Sequence, residues 1–209
     1  YDMNLPFTRE QFFALFERYN AAVWPAQLVL NLIAVLVLVL IHRGRPSAGR
    51  WVSGALALLW AWMAVAYHFA HFSAINPAAW GFGAVSLLGA LVLAWVGVVR
   101  GELAFARHGG LREALGGALV VFALLAYPSL GWLMGHRYPA VPTFGLPCPT
   151  TIFTIGVLLF ATGPVPRAVL VVPVLWAAVG STAAFALGVY QDLGLLVAGI
   201  VAVVAMTRA

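Results

Sequence analysis

The segment Tyr67-His68-Phe69-Ala70-His71 sets two imidazoles at i and i+3, a spacing that shares one face of an α-helix. Such a pair can chelate one metal ion. His136 supplies a further ring nitrogen, and Cys148 is the only thiol in the chain. His68, His71, His136 and Cys148 together make a four-donor set of the kind that zinc or copper takes, with haem ligation by a histidine as the other cofactor reading. The plainer alternative is that histidines at a membrane edge bond headgroups, water or loop carbonyls.

Cys148 carries a second kind of chemistry. It sits in Pro147-Cys148-Pro149-Thr150-Thr151, which opens an apolar run. Proline suits a first helical turn, where its missing N–H has no helical partner. A cysteine there lies at the positive end of the helix dipole, which stabilises a thiolate. The expectation is a partly buried Cys148, with Thr150 or Thr151 satisfying free backbone N–H groups. The plainer reading is a helix start whose small residue happens to be cysteine.

Polar side chains elsewhere in apolar runs suggest a path. Gln27 and Asn31 are i and i+4, and amides at that depth are expected to face the bundle or a cavity. Tyr67, Tyr127, Tyr138, Thr151 and Thr154 extend the candidate path. Interhelical hydrogen bonding is the competing reading for all of them.

These residues must be positioned by membrane helices. The chain has 209 residues, 64% hydrophobic and 8% charged, against roughly 25% charged in a soluble domain. Apolar runs of membrane-crossing length recur along it. The expected fold is all-α: a polytopic membrane helix bundle of about seven transmembrane helices. One integral-membrane domain covers 1–209, with an interfacial helix at 1–22, spans 1–4 in 24–133, a proline-rich outer loop at 134–149 and spans 5–7 in 150–207. The spans are expected at 24–41, 51–70, 78–99, 114–133, 150–162, 166–187 and 193–206. Ahead of them, Thr8 and Gln11 have capping-box spacing, and Phe12, Leu15, Phe16 and Tyr19 share one face. That segment reads as a short amphipathic helix lying on the membrane surface, or as a packed lid. The first twenty residues lack a basic region followed by an apolar run, so no cleavable signal peptide is expected, and Met3 is the expected natural start.

All eleven basic residues are arginine. Alternating spans put Arg43, Arg45, Arg50, Arg100, Arg107, Arg112, Arg167 and Arg208 on one side, and Arg9, Arg18 and Arg137 on the other. The positive-inside rule makes the first side cytoplasmic and places the N-terminus outside. The arginines thus read as topology determinants rather than nucleic-acid contacts. The absence of lysine excludes a retinal Schiff base, and one cysteine cannot form an internal disulfide. His68, His71, His136, Cys148, Glu10, Glu17 and Asp192 would then share the outer side, with His42 and His108 on the inner side.

Three stretches carry a resemblance: Met3-Asn4-Leu5-Pro6-Phe7-Thr8-Arg9-Glu10-Gln11-Phe12-Phe13, then Tyr19-Asn20-Ala21-Ala22-Val23-Trp24-Pro25, and Pro147-Cys148-Pro149-Thr150-Thr151. In these the chain resembles an uncharacterised family of bacterial inner-membrane proteins, over its full length. The resemblance implies a bacterial inner-membrane location, with membrane lipid as a partner, and no catalytic residues.

Three functions are compatible with this reading. One is a small transporter or permeation protein passing a small solute or metal ion from an outer entry site. The second is a membrane enzyme using a metal or haem held by the outer histidines, or Cys148 itself. The third is a non-catalytic membrane subunit serving a partner or an oligomer. No span interior holds an Asp, Glu, Lys or Arg, which counts against a proton-driven pump.

Overall fold

A computed structural model describes residues 6–206 of the chain. Met3, Arg208 and the other terminal positions lie outside the described residues. The architecture is helical, and among the described residues the extended pairing amounts to two isolated bridges.

Helix α1 (Arg9–Val23) begins with the expected capping box: Gln11 N donates to Thr8 Oγ1 at 3.2 Å and Thr8 N to Gln11 Oε1 at 2.8 Å. Its apolar face is turned inward. Phe12, Leu15, Phe16 and Tyr19 are buried in one cluster with Phe7, Tyr67, Phe72, Leu146 and Leu187. The helix is therefore a lid packed on the bundle. Trp62 Nε1 fastens it, donating to the Tyr19 hydroxyl at 2.8 Å.

Behind the lid run α2 (Ala26–Arg43), α3 (Ala48–Trp62), α4 (Ala79–Leu93) and α5 (Gly110–Val121), with α6 (Tyr127–Leu133) continuing α5. Three of these helices widen into π turns, at Met63–Phe69, Ala94–Val99 and Phe122–Ala126. After α7 (Pro147–Leu158) come α8 (Arg167–Gly180), the short α9 (Thr182–Ala186) and α10 (Leu193–Met206). Five segments are long and apolar enough to cross a membrane: Ala26–Arg43, Ala48–Ala74, Ala79–Val99, Gly110–Leu133 and Arg167–Ala186. They coincide with five of the seven expected spans. The other two, α7 and the segment Tyr190–Val204, are apolar but shorter.

Helix α7 is the centre of the bundle. Every residue from Pro147 to Leu158 is buried except Cys148, which is half-buried. A helix that is apolar all round belongs inside, not on a surface. Twelve residues make about 18 Å of helix, short of the roughly 30 Å hydrocarbon thickness. Its flanks Phe144, Leu146, Leu159, Phe160 and Ala161 are buried as well. Non-helical backbone is tolerated at membrane depth when protein surrounds it. Here Ala106 N donates to Phe160 O at 3.2 Å and Thr162 N to Ala104 O at 2.9 Å, so the loop after α4 satisfies the exit from α7. Against α5 the approach is close: a Cβ on Gly116 would lie 2.8 Å from the Gly156 carbonyl oxygen, and one on Gly156 would lie 3.0 Å from that of Gly116.

The two ends of the bundle differ. At one end meet Gly44, Arg50, Gly101 and the Leu103–Phe105 loop. At the other lie α1, the 134–146 loop, the start of α7 and the turn before α10. Asn20 organises that end. Its Nδ2 donates to Pro139 O at 2.6 Å and Val141 O at 2.8 Å, and its Oδ1 accepts from Thr143 Oγ1 at 2.7 Å.

Candidate functional site

The expected four-donor metal set does not assemble. His68 lies in the π turn Met63–Phe69, and His71 lies beyond the helix end. A π turn carries more residues per turn than an α-helix, so i and i+3 no longer share a face. His68 is fully buried against Tyr67, Phe72, Phe82 and Trp176, and neither ring nitrogen has a hydrogen-bond partner. His71 Nδ1 pairs with Ala66 O at 2.6 Å and its ring meets Tyr19. His136 stacks on Phe13 with centroids 3.9 Å apart. Among the described residues no three His, Cys, Asp or Glu side chains gather where one metal ion could be held. The donors present do not fit a common zinc or copper site.

What the same end of the molecule does contain is a cavity of about 160 Å³ beneath α1. Phe7, Phe12 and Phe16 roof it, Phe72, Phe82 and Tyr67 form one wall, and Trp176 and Gly180 of α8 form another. The first turn of α7, Pro147-Cys148-Pro149, closes the floor together with Tyr127 and Asp192. The lining is almost wholly carbon. The one acid and the one thiol of that lining come together in one place.

That place is a knot of three side chains from three elements. The Tyr127 hydroxyl at the start of α6 donates to Asp192 Oδ1. The Cys148 thiol lies beside Asp192, Tyr127 and the Trp176 indole in the same lining. Asp192 is 2% exposed. It is the one acid among the described residues that line the cavity, and no Arg, Lys or His is among them.

Cys148 is where the helix-start argument places it, at the beginning of α7, but the threonines do not cap. The hydroxyls of Thr150 and Thr151 are buried without partners. The reason is arithmetic: Pro147 and Pro149 have no N–H, so little is left for a cap to satisfy. Thr150 N instead donates to Leu146 O at 3.2 Å.

The candidate path divides. Tyr67 and Tyr127 line the cavity. Thr154 is a packing bond, accepting from Trp60 Nε1 at 3.0 Å and donating to Thr150 O at 2.8 Å. Gln27 and Tyr138 hold Asn20, at 2.9 Å and 3.3 Å from its carbonyl oxygen. Asn31 is exposed on the outside of α2, contrary to the expectation of an inward amide. Its Nδ2 is satisfied locally by Gln27 O at 2.8 Å. No continuous path joins Asn31 to the cavity.

The sequence profile of a family of unknown function, DUF6064, matches residues 9–209. The chain belongs to that family. No curated protein and no solved structure is detectably similar to it.

Two residues beside the Cys148 thiol, Asp192 and Trp176, were not among the site residues expected from sequence. Asp192 looked like a loop acid on the outer side, yet it is buried. The available signal was its place directly before the apolar run of α10, where an acid has no room to reach solvent. Trp176 gave no signal beyond its position inside an apolar span.

Proposed function

We propose that this family member is a small membrane transporter or permeation protein whose entry step is capture of a small, largely apolar solute in the cavity beneath α1. The observation that carries this reading is the cavity's position. Its floor is the first turn of α7, a helix that is enclosed, too short to span alone and flanked at both ends by buried non-helical backbone. Short central helices of that kind sit at solute sites when irregular backbone is needed at membrane depth. The lid α1 rests on the cavity through side chains alone along its phenylalanine face and is the element to move for entry.

Within this reading α7 and α10 complete seven crossings, the arginine-rich end faces the cytoplasm, and the lid faces outward in a bacterial inner membrane. Cysteine labelling in a Cys148→Ser background checks the sidedness. A cysteine at Met134 should react with an impermeant maleimide from outside, and one at Arg45 should not. Labelling of Arg45 alone overturns the orientation.

Solute capture is tested by plugging. Gly180 lines the cavity, and a Cβ there would lie 2.6 Å from Leu195 Cδ2, 3.2 Å from Trp176 Nε1 and 3.5 Å from Cys148 Sγ. Purified protein in detergent should show saturable binding of toluene or benzyl alcohol by saturation-transfer NMR. Gly180→Leu should remove it while the protein stays monodisperse. Absence of saturable binding to the natural chain sinks the reading.

A second reading, an enzyme, is favoured by one juxtaposition: the cavity lining sets the Asp192 carboxyl and the Cys148 thiol in one pocket, a candidate base and a candidate nucleophile. It requires iodoacetamide to alkylate Cys148 more slowly in Asp192→Asn than in the natural chain.

A further inference from the structure

We infer that the solute for which this cavity is built is a small organic cation: an ammonium group on a single ring or a short branched apolar body. The inference rests on reading the cavity as a solute site, and it names the chemical class that fits.

Asp192 decides the class. A carboxylate offers about four lone-pair positions, and here the Tyr127 hydroxyl donates to one oxygen, Oδ1. The recorded ion pairs among the described residues are Arg100–Glu102 and Arg107–Glu113, both away from the cavity. Among the described residues, Asp192 therefore has a hydrogen-bond donor in Tyr127 but no Arg, Lys or His beside it in the cavity lining. A carboxylate removed from water is costly unless a charge compensates it. A ligand ammonium in the cavity supplies both that charge and N–H donors for the remaining lone pairs.

The walls and the size point the same way. Aromatic faces attract cations, and they do so most where water is excluded. Phe12, Phe72, Phe82 and Trp176 present such rings around the space that Asp192 overlooks. The volume of about 160 Å³ is close to the roughly 150 Å³ that accepts benzene in an apolar cavity. A phospholipid is too large. An anion would meet a carboxylate with no base to offset it. A sugar would lose most of its hydrogen bonds against carbon walls. Among the described residues, a bare metal ion finds one carboxylate and one thiol and no third His, Cys, Asp or Glu side chain.

The test uses the full chain in detergent at neutral pH, with benzylamine as the cationic probe and benzyl alcohol as its uncharged isostere, titrated calorimetrically against detergent blanks. The natural chain is expected to bind benzylamine at least about tenfold more tightly than benzyl alcohol, because only the ammonium can form a charge-assisted pair with the Asp192 carboxylate. Asp192→Asn should erase that preference and keep benzyl alcohol binding. Equal or tighter binding of benzyl alcohol to the natural chain overturns the inference, as does a preference that survives Asp192→Asn. If neither probe binds the natural chain, the solute-site reading itself falls. Should Asp192→Asn fail to fold, protection of Cys148 decides the matter in the natural chain. Benzylamine should slow its modification by methyl methanethiosulfonate, and the same concentration of benzyl alcohol should not; equal protection by the two overturns the inference.

Discussion

The Tyr127 hydroxyl donates to the Asp192 carboxylate across 65 positions of sequence, tying α6 to the turn that opens α10. Both residues are buried, so the bond is made in a place where its loss is not repaired by water. Tyr127→Phe should lower stability by about 1–3 kcal/mol, the cost of leaving a buried acceptor short of its donor. The measure is a double-mutant cycle in detergent with Asp192→Asn. Because the two side chains touch, the second substitution should cost clearly less in the Tyr127→Phe background. Additive costs would show that the contact carries no coupling.

Asn20 gives a second prediction. One buried amide serves Pro139 O, Val141 O and Thr143 Oγ1 at once. Asn20→Ala orphans two carbonyls at the point where the proline-rich loop crosses the lid. A stability loss of about 2 kcal/mol or more is expected, along with faster proteolysis between positions 134 and 146. Asn20→Asp should be no milder, since a carboxylate turns acceptors toward both carbonyls. If the loop resists protease in Asn20→Ala as well as in the natural chain, the clamp is not what holds it.

Much of this was legible beforehand, for physical reasons that also mark the limits. Hydropathy located the membrane-length helices because lipid imposes a length and a composition. Period and capping chemistry located α1, and Phe12, Leu15, Phe16 and Tyr19 are its buried face. The pairing of His68 with His71 failed because local hydropathy does not reveal a π turn. Asn31 failed because the rule that amides face inward assumes no local partner, and Gln27 O is one. The cavity was half visible: Tyr67, Tyr127 and Cys148 were singled out on chemical type. Asp192 and Trp176 were not, since burial of an end residue depends on what the distant lid and α6 lay over it.

The crossing of α5 on α7 yields a packing prediction. Gly116→Ala places a methyl against the Gly156 carbonyl, and Gly156→Ala does the reverse. Neither oxygen belongs to a side chain that can swing away. Each substitution should cost about 1–3 kcal/mol as overpacking, and Gly117→Ala, which meets open space, should be close to neutral. Thermal unfolding of the three variants side by side checks the contrast. Since alanine is intrinsically the better helix former, a Gly117→Ala variant as harmful as the other two would show that the crossing is not what makes them costly.

The last prediction concerns pH. His136 stacks on Phe13, and Arg9 lies over the same ring at 5.7 Å. Burial in that stack, and then the Arg9 charge, hold the imidazole below its ordinary value of 6.5. A group whose folded value is depressed binds its proton more readily when unfolded, so the stack contributes fully above 6.5 and weakens as pH falls toward the folded value. His136 is part-exposed, and solvent screening keeps the effect small. The lid should therefore loosen on acidification from about pH 7 to about pH 5, the range in which a histidine changes charge. The measurement is the unfolding temperature in detergent across that range for the natural chain and for His136→Phe, which keeps the stacked ring and cannot titrate. The difference between the two curves should widen as pH falls, and Arg9→Gln should narrow it without removing it, because burial is the larger cause. Parallel curves would mean that His136 titrates as it does in the unfolded chain and that the stack does not hold the lid.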